Sequence, residues 1–205
     1  MYYDEIIGPV LFAGYAADIA SRAAVLKPDN VLEIASGTGI VSRRLRDALA
    51  PGATLLVSDL SPPMLATAEA KFTPGEKVEF RQADAMALPF EAEAFDQIVC
   101  QFGAMYFPDK VAAFTEARRV LRPGGSFLLN VWSTHARNPG AELSQATVEA
   151  IYPDDPPGFF RVPYAYSDPA QVSADLAAAG FTEISHDTVA IEAEVADWDL
   201  LGRGF

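Results

Sequence analysis

Three carboxylates stand at or near the ends of three successive strand-like runs: Glu33 in VLEI (31–34), Asp59 after ATLLVS (53–58), and Asp84 after VEFRQ (78–82). Between the first two lies Ala35-Ser36-Gly37-Thr38-Gly39, a glycine-punctuated turn. Glycines there let the backbone take positive φ and let a bound group approach the main chain. Residues 40–49 follow with Val41, Leu45 and Leu49 at helical spacing, so the unpaired amides of the first helical turn face the same crevice and suit an anionic group. The plain alternative is a strand-to-helix turn whose glycines solve only a steric problem. Asp59 argues against that alternative, because an acid about 20 residues beyond such a loop accepts hydrogen bonds from ribose hydroxyls.

Asp84 separates two kinds of nucleoside cofactor. A pyrophosphate would not welcome three carboxylates, whereas an amino acid joined to adenosine could use one for its ammonium, one for the ribose and one for the adenine amine. A dinucleotide fingerprint would also place glycine or alanine at position 42, where this chain has Ser42. That weakens a nicotinamide-dependent oxidoreductase as the alternative without removing it.

These residues need a scaffold that delivers strand ends to one edge. Apolar runs and helical stripes alternate from 31 to 132, which predicts an α/β fold: a Rossmann-like, doubly wound, mostly parallel sheet with helices on both faces. Ser61-Pro62-Pro63 can cap and open a helix with Met64, Leu65 and Ala68 on its apolar side. Residues 95–102 read as a fourth strand, 109–121 as a helix, and 126–132 as a fifth strand after Arg122-Pro123-Gly124-Gly125.

The segments VLEIASGTG, VSDLSPPML, QADAMALPF, FDQIVCQFGAMYFPD and RRVLRPGG occur in that order. Together they resemble the class I S-adenosylmethionine-dependent methyltransferases, and more narrowly the small-molecule branch that includes the ubiquinone and menaquinone biosynthesis enzymes. The resemblance is strong over 31–132 and weak in the flanks. It implies S-adenosylmethionine as cofactor, S-adenosylhomocysteine as product, and in-line methyl displacement onto a small acceptor. It further implies that Ala35, Ser36, Gly37, Thr38 and Gly39 hold the methionyl portion, with Glu33 anchoring the loop or meeting the amino group through water. Asp59 would grip the ribose, Leu60 and Met64 would flank the adenine, and Asp84 with the Ala85 and Met86 amides would read its edge. Gln101 and Phe102 would sit by the methionyl amine and the transferring methyl. Such enzymes close their sheet with an antiparallel hairpin, and the ten residues after Val195 are too few for its last strand, so that strand is expected to be missing from this chain. This keeps open a third reading, a non-catalytic S-adenosylmethionine-binding protein.

The 205 residues fit one domain: an N-terminal helical cover (1–30), a cofactor-binding core (31–132), a lid or acceptor-site insertion (133–167), and a C-terminal helix and strand (168–205). Within the last part, Ser167 is expected to cap the helix and 181–195 to form the strand. Tyr3, Phe12, Tyr15, Tyr106, Phe107, Phe159, Phe160, Tyr164 and Tyr166 lie in flanks and loops, where they could wall an apolar or aromatic acceptor pocket, although most aromatics are simply core. His135, just after the fifth strand, is the candidate base, or else a surface histidine.

The formal charge of −13, without a basic cluster, argues against a nucleic-acid acceptor. Cys100, the single cysteine, sits in an apolar run as a small hydrophobe, and two isolated histidines give no support to a metal site. No signal peptide or integral membrane segment is read, so the chain is expected in the cytoplasm. A homo-oligomer stays open.

Overall fold

The computed structural model describes residues 3–192 and 195, the side chains of residues 3 and 5 excepted. Its centre is a five-stranded sheet in the order β3-β2-β1-β4-β5, formed by β1 (Asn30–Glu33), β2 (Thr54–Asp59), β3 (Val78–Gln82), β4 (Phe95–Gln101) and β5 (Leu121–Asn130). Every pairing is parallel, with Val31 opposite Leu55 on one side and Gln97 on the other. The chain runs outward from β1 to β3, then returns to place β4 beside β1. The order therefore reverses between β1 and β4, and in open α/β sheets ligands bind outside the carboxyl ends of the strands at that point.

Helices cover both faces, as the apolar runs require. On one face, Ala16, Ile19, Ala20 and Ala23 of α1 (Ala13–Val25), Val41 and Leu45 of α2 (Ile40–Ala48) and Leu65 of α3 (Pro62–Glu69) pack on Val31, Leu55, Val57 and Val99. On the other, Phe114, Ala117 and Val120 of α4 (Lys110–Val120) and Leu176 of α6 (Pro169–Ala178) pack on Leu32, Ile98 and Cys100. Successive strand residues thus serve opposite cores. Cys100 is fully buried, with its thiol pushed up to about 12 by burial, so it behaves as core.

Several local expectations change. The N-terminal cover is a π-helical segment, Tyr3–Phe12, followed by α1. Ser61 makes no side-chain cap; its amide instead donates to Asp59 Oδ1 at 2.8 Å, and Pro62 opens α3. Asp168 rather than Ser167 caps α6, accepting from the Ala170 amide at 2.9 Å. β5 begins five residues early, at Leu121, with a register shift around the Pro-Gly-Gly stretch.

The strand expected over 181–195 is not formed across 181–192, which is irregular. That segment crosses α1 instead: Asp187 pairs with Arg22 at 2.9 Å, and Ile191 packs where a Cβ on Gly14 would meet it at 2.8 Å. Alternating residues make a strand only when a neighbouring edge supplies a ladder. The remainder of that stretch, apart from 195, lies outside the described residues, as does the side chain of Tyr3. Residues 133–167 hold α5 (Pro139–Ile151) and two 3-10 turns, His135–Arg137 and Phe159–Tyr164. Among the described residues no helix is long and apolar enough to cross a membrane.

Candidate active site

The first loop leaves β1 through Ala35, a non-glycine residue at φ 54°, and its counterpart across the reversal, Phe102 after β4, stands at φ 51°. Two left-handed side-chain-bearing residues on adjacent strand ends are strained, each costing on the order of 1 kcal/mol, and such strain clusters where ligands are held. The two ends also touch: a Cβ on Gly103 would come within 2.5 Å of the Ala35 Cβ.

The two loop glycines do different things. Gly39, at φ 81°, lies against α3, where an added Cβ would meet the Ala68 Cβ at 2.7 Å. Gly37, at φ 56°, has open space in front of it. No side chain caps α2, which leaves its first-turn amides for a ligand. The Gly37 amide donates to Asp59 Oδ2 at 2.7 Å, so Asp59 ties the loop to the end of β2 while its other oxygen takes Ser61. A carboxylate has about four lone-pair positions, so Asp59 can still accept from a ribose hydroxyl.

Glu33 lies beneath this loop, fully buried, with Oε2 unpartnered; the Ser36 hydroxyl is also buried and unpartnered. Burial pushes the Glu33 carboxyl up to about 8, the neighbouring Ser42 hydroxyl opposes that rise without closing a hydrogen bond, and the charge of Asp59 adds to it. Orphaned buried oxygens need an explanation. An ammonium entering through the Gly37 side would supply one, which is the feature of the donor set that fits an aminoacyl nucleoside.

Leu60, beside Asp59, is 63% exposed, and Met64, in the first turn of α3, is half-buried. Asp84 forms its own turn, accepting from the Met86 amide at 2.9 Å, with Ala85 between them. Gln101 is partly committed: its amide reaches the Phe12 carbonyl at 3.4 Å and its oxygen receives Asn130 Nδ2 at 3.4 Å. Among the described residues no group of three potential ligands could hold a metal ion.

Phe102 is also the centre of an aromatic wall. Its ring stacks on Trp132 at 4.0 Å and 3°, while Tyr15 stands edge-on to both at 5.4 Å and Phe12 leans on them at 5.8 and 6.1 Å. Tyr164 lies 6.0 Å from Trp132 and edge-on to His135 at 5.2 Å. Of the expected pocket aromatics, Phe12, Tyr15 and Tyr164 gather here. Tyr106 lies on the turn Ala104–Tyr106, which packs against Phe159–Tyr164. Phe107 packs on the main core, Phe159 and Phe160 face each other at 4.2 Å, and buried Tyr166 spends its hydroxyl on Asp175 at 2.7 Å. Trp132 is the residue that sequence reasoning passed over as a site residue. Its signal was an aromatic ending the fifth strand, two residues beyond Asn130, which itself takes the Phe102 amide. His135 is partly exposed, with its Nε2 shut off from solvent and unpartnered.

Two grooves, of about 470 and 450 Å³, lie elsewhere, along the strand starts among Asn30, Thr54, Lys77, Arg43 and Asp47. They contain none of these features, and strand starts are not where such sheets hold ligands.

Residues 32–129 match the methyltransferase domain family. A demethylmenaquinone methyltransferase of Thermus thermophilus is 42% identical over 115 residues, covering 56% of this chain and 50% of the relative. The ubiquinone/menaquinone biosynthesis C-methyltransferase UbiE of Hahella chejuensis is 36% identical over 111 residues, covering 53% and 45%. The matches thus span about half the length of these relatives. The crystal structure of the YcgJ protein of Bacillus subtilis shares the fold, with a TM-score of 0.63 at 22% identity over 93% of this chain and 77% of that one. The parallel sheet and the glycine loop at its reversal agree with the match over 32–129: over that stretch the chain is similar to the methyltransferase domain family, and among its relatives to the ubiquinone and menaquinone methyltransferases.

Proposed function

We propose that this chain transfers a methyl group from S-adenosylmethionine to a small apolar or aromatic acceptor. One observation carries the reading: the glycine loop, the acids Glu33, Asp59 and Asp84, and the Phe102–Trp132 wall all occupy the carboxyl edge of one sheet, around the β1/β4 reversal. The cofactor supplies a methyl carbon already attached to a positively charged leaving group. The protein therefore has mainly to align the partners and exclude water, which accounts for up to ~7–11 kcal/mol of a barrier.

In this reading the Ala35–Gly39 backbone and the first turn of α2 take the carboxylate of the amino acid, and Glu33 balances its ammonium. Asp59 accepts from the ribose while holding Gly37 in place; Leu60 and Met64 sandwich the base, and Asp84 with the Ala85 and Met86 amides reads its edge. Gln101 and Phe102 face the reacting end. The acceptor lies against the aromatic wall, and His135 Nε2 takes its proton where the chemistry requires one.

Calorimetric titration with S-adenosylhomocysteine, against nicotinamide dinucleotides, tests the cofactor. Binding of the former alone is expected, and Asp59→Ala is expected to weaken it by ~1.5–3 kcal/mol, the range for hydrogen bonds to a charged group. Nicotinamide binding would overturn the reading, and unchanged affinity in a folded Asp59→Ala would remove Asp59 from the site. A panel of flat phenolic or polyketide-like acceptors against polar amines tests the other half; methylation of the amines alone would defeat the acceptor assignment.

A further inference from the structure

We infer that the hydroxyls of Tyr15, Tyr106 and Tyr164 form the polar end of the acceptor pocket, and that they hold an acceptor reacting as an oxyanion, a phenolate or enolate. This rests on the methyltransferase reading and adds to it which charge the acceptor carries and which residues receive it.

The three tyrosines come from three separate parts of the chain. Tyr15 belongs to α1, Tyr106 to the turn after β4, and Tyr164 to the turn Phe159–Tyr164. The last two turns pack on each other, while Tyr15 and Tyr164 both lie against Trp132, at 5.4 and 6.0 Å. Their hydroxyls are not spent on protein partners among the described residues, in contrast to Tyr166, whose hydroxyl is held by Asp175. Beside them, His135 Nε2 is buried with no partner, at the edge of the Tyr164 ring.

The sign of this polar end follows from its chemistry. Burial raises the Tyr164 phenol above its ordinary range, and the Tyr106 and Tyr15 phenols raise it further; burial raises Tyr106 as well. Tyr164 and Tyr106 therefore keep their protons at neutral pH and offer O–H donors. Donors placed where negative charge sits are the arrangement that stabilises an oxyanion, and they gain strength in a site walled by rings. In the transfer itself, the acceptor proton goes to Nε2 of His135 and the charge spreads over the acceptor's oxygen and conjugated carbon. One of these atoms then bonds to the methyl carbon as the carbon–sulfur bond breaks and its electron pair stays on the sulfur, now a neutral thioether.

The test uses protein saturated with S-adenosylhomocysteine, so that failure of the cofactor site itself is detected first and separately. The probes are 4-nitrophenol, whose ionised form has its own absorption band and which titrates near neutrality, its neutral isostere nitrobenzene, and the cation trimethylphenylammonium. We expect 4-nitrophenol to bind as the phenolate, with its titration displaced to lower pH on the protein and with affinity above that of nitrobenzene. Tyr164→Phe keeps the ring against Trp132 and His135 and removes only the hydroxyl. It should weaken the phenolate about tenfold or more and leave nitrobenzene and S-adenosylhomocysteine unchanged, as for loss of one hydrogen bond to a charged group. Tyr106→Phe should act in the same direction. The assignment is overturned if nitrobenzene binds as well as the phenolate, if the cation binds best, if the phenolate fails to bind at millimolar concentration, or if Tyr164→Phe weakens all probes alike.

Discussion

Glu33 carries the largest unresolved electrostatic tension among the described site residues. A carboxyl held at 1% exposure with an unpartnered oxygen would be expensive to keep ionised, and its pKa accordingly stands near 8 against an ordinary 4.5. Between those two values the folded chain retains a proton that the unfolded chain has lost. Stability is therefore full below pH ~4.5, falls as pH rises through the window, and levels off above ~8. Chemical denaturation of the ligand-free protein at intervals from about pH 5 to 8.5 should show this decline, by a few kcal/mol in all, while Glu33→Gln should show a markedly flatter profile. Parallel profiles would mean that Glu33 is already ionised in the native state. On the proposed reading, in which the ligand's ammonium relieves that tension, Glu33→Gln should also lose affinity for S-adenosylhomocysteine.

At the scale of the element, the glycine loop is a joint between a strand, a helix and a neighbouring helix, and its two glycines answer to different partners. Gly39→Ala would force an L side chain to φ 81° and drive its Cβ to 2.7 Å from the Ala68 Cβ and 2.8 Å from its Cα, backbone that cannot swing aside. A loss of about 2–4 kcal/mol in urea denaturation is expected, the sum of a left-handed penalty and overpacking. Gly37→Ala meets only the penalty at φ 56°, about 1 kcal/mol, and should be felt mainly as weaker S-adenosylhomocysteine binding, because its Cβ would point into open space before the loop. If the two variants lose stability equally, α3 does not bear on the loop. Sequence spacing made the loop, Asp59 and the helix beginning near 109 legible because each is a local pattern; that Asp109 caps α4, accepting from the Ala112 amide at 2.9 Å, is a structural finding. It could not tell Gly37 from Gly39, since Ala68 reaches Gly39 only through tertiary packing. For the same reason it grouped Tyr166 with Tyr164, although one hydroxyl is buried on Asp175 and the other stands at the aromatic wall. The strand read over 181–195 failed because period-two alternation says nothing of whether an edge is there to receive it.

Across the whole molecule, the two edges of the sheet are built oppositely. At the strand starts, Asp96 accepts from the Asp29 and Asn30 amides at 3.0 and 2.8 Å and pairs with Arg122 at 2.6 Å. Nearby, the 8%-exposed Arg46 donates to the carbonyls of Leu49, Ala50, Ala53 and Lys77, tying the end of α2 to β2 and to the start of β3. Backbone and buried side chains fix that edge without any ligand. The opposite edge has left-handed strand ends, orphaned oxygens and a wall assembled from rings on α1, just beyond β4 and β5, and on the turn Phe159–Tyr164, and on the proposed reading its order is completed by what binds there. Local opening rather than global unfolding governs exchange at such places. Hydrogen exchange of the free protein should be faster over 35–42 and 101–106 than over 46–56, and S-adenosylhomocysteine should slow the first two stretches while leaving the third nearly unchanged. The turn Phe159–Tyr164 packs on the turn Ala104–Tyr106 and against Trp132, on the proposed acceptor side, so its protection should rise mainly when the phenolate probe joins S-adenosylhomocysteine. Uniform protection at both edges would reduce the ligand effect to mass action on global stability, about 2.7 kcal/mol at a hundredfold excess over Kd, and would remove the division of labour between the two edges.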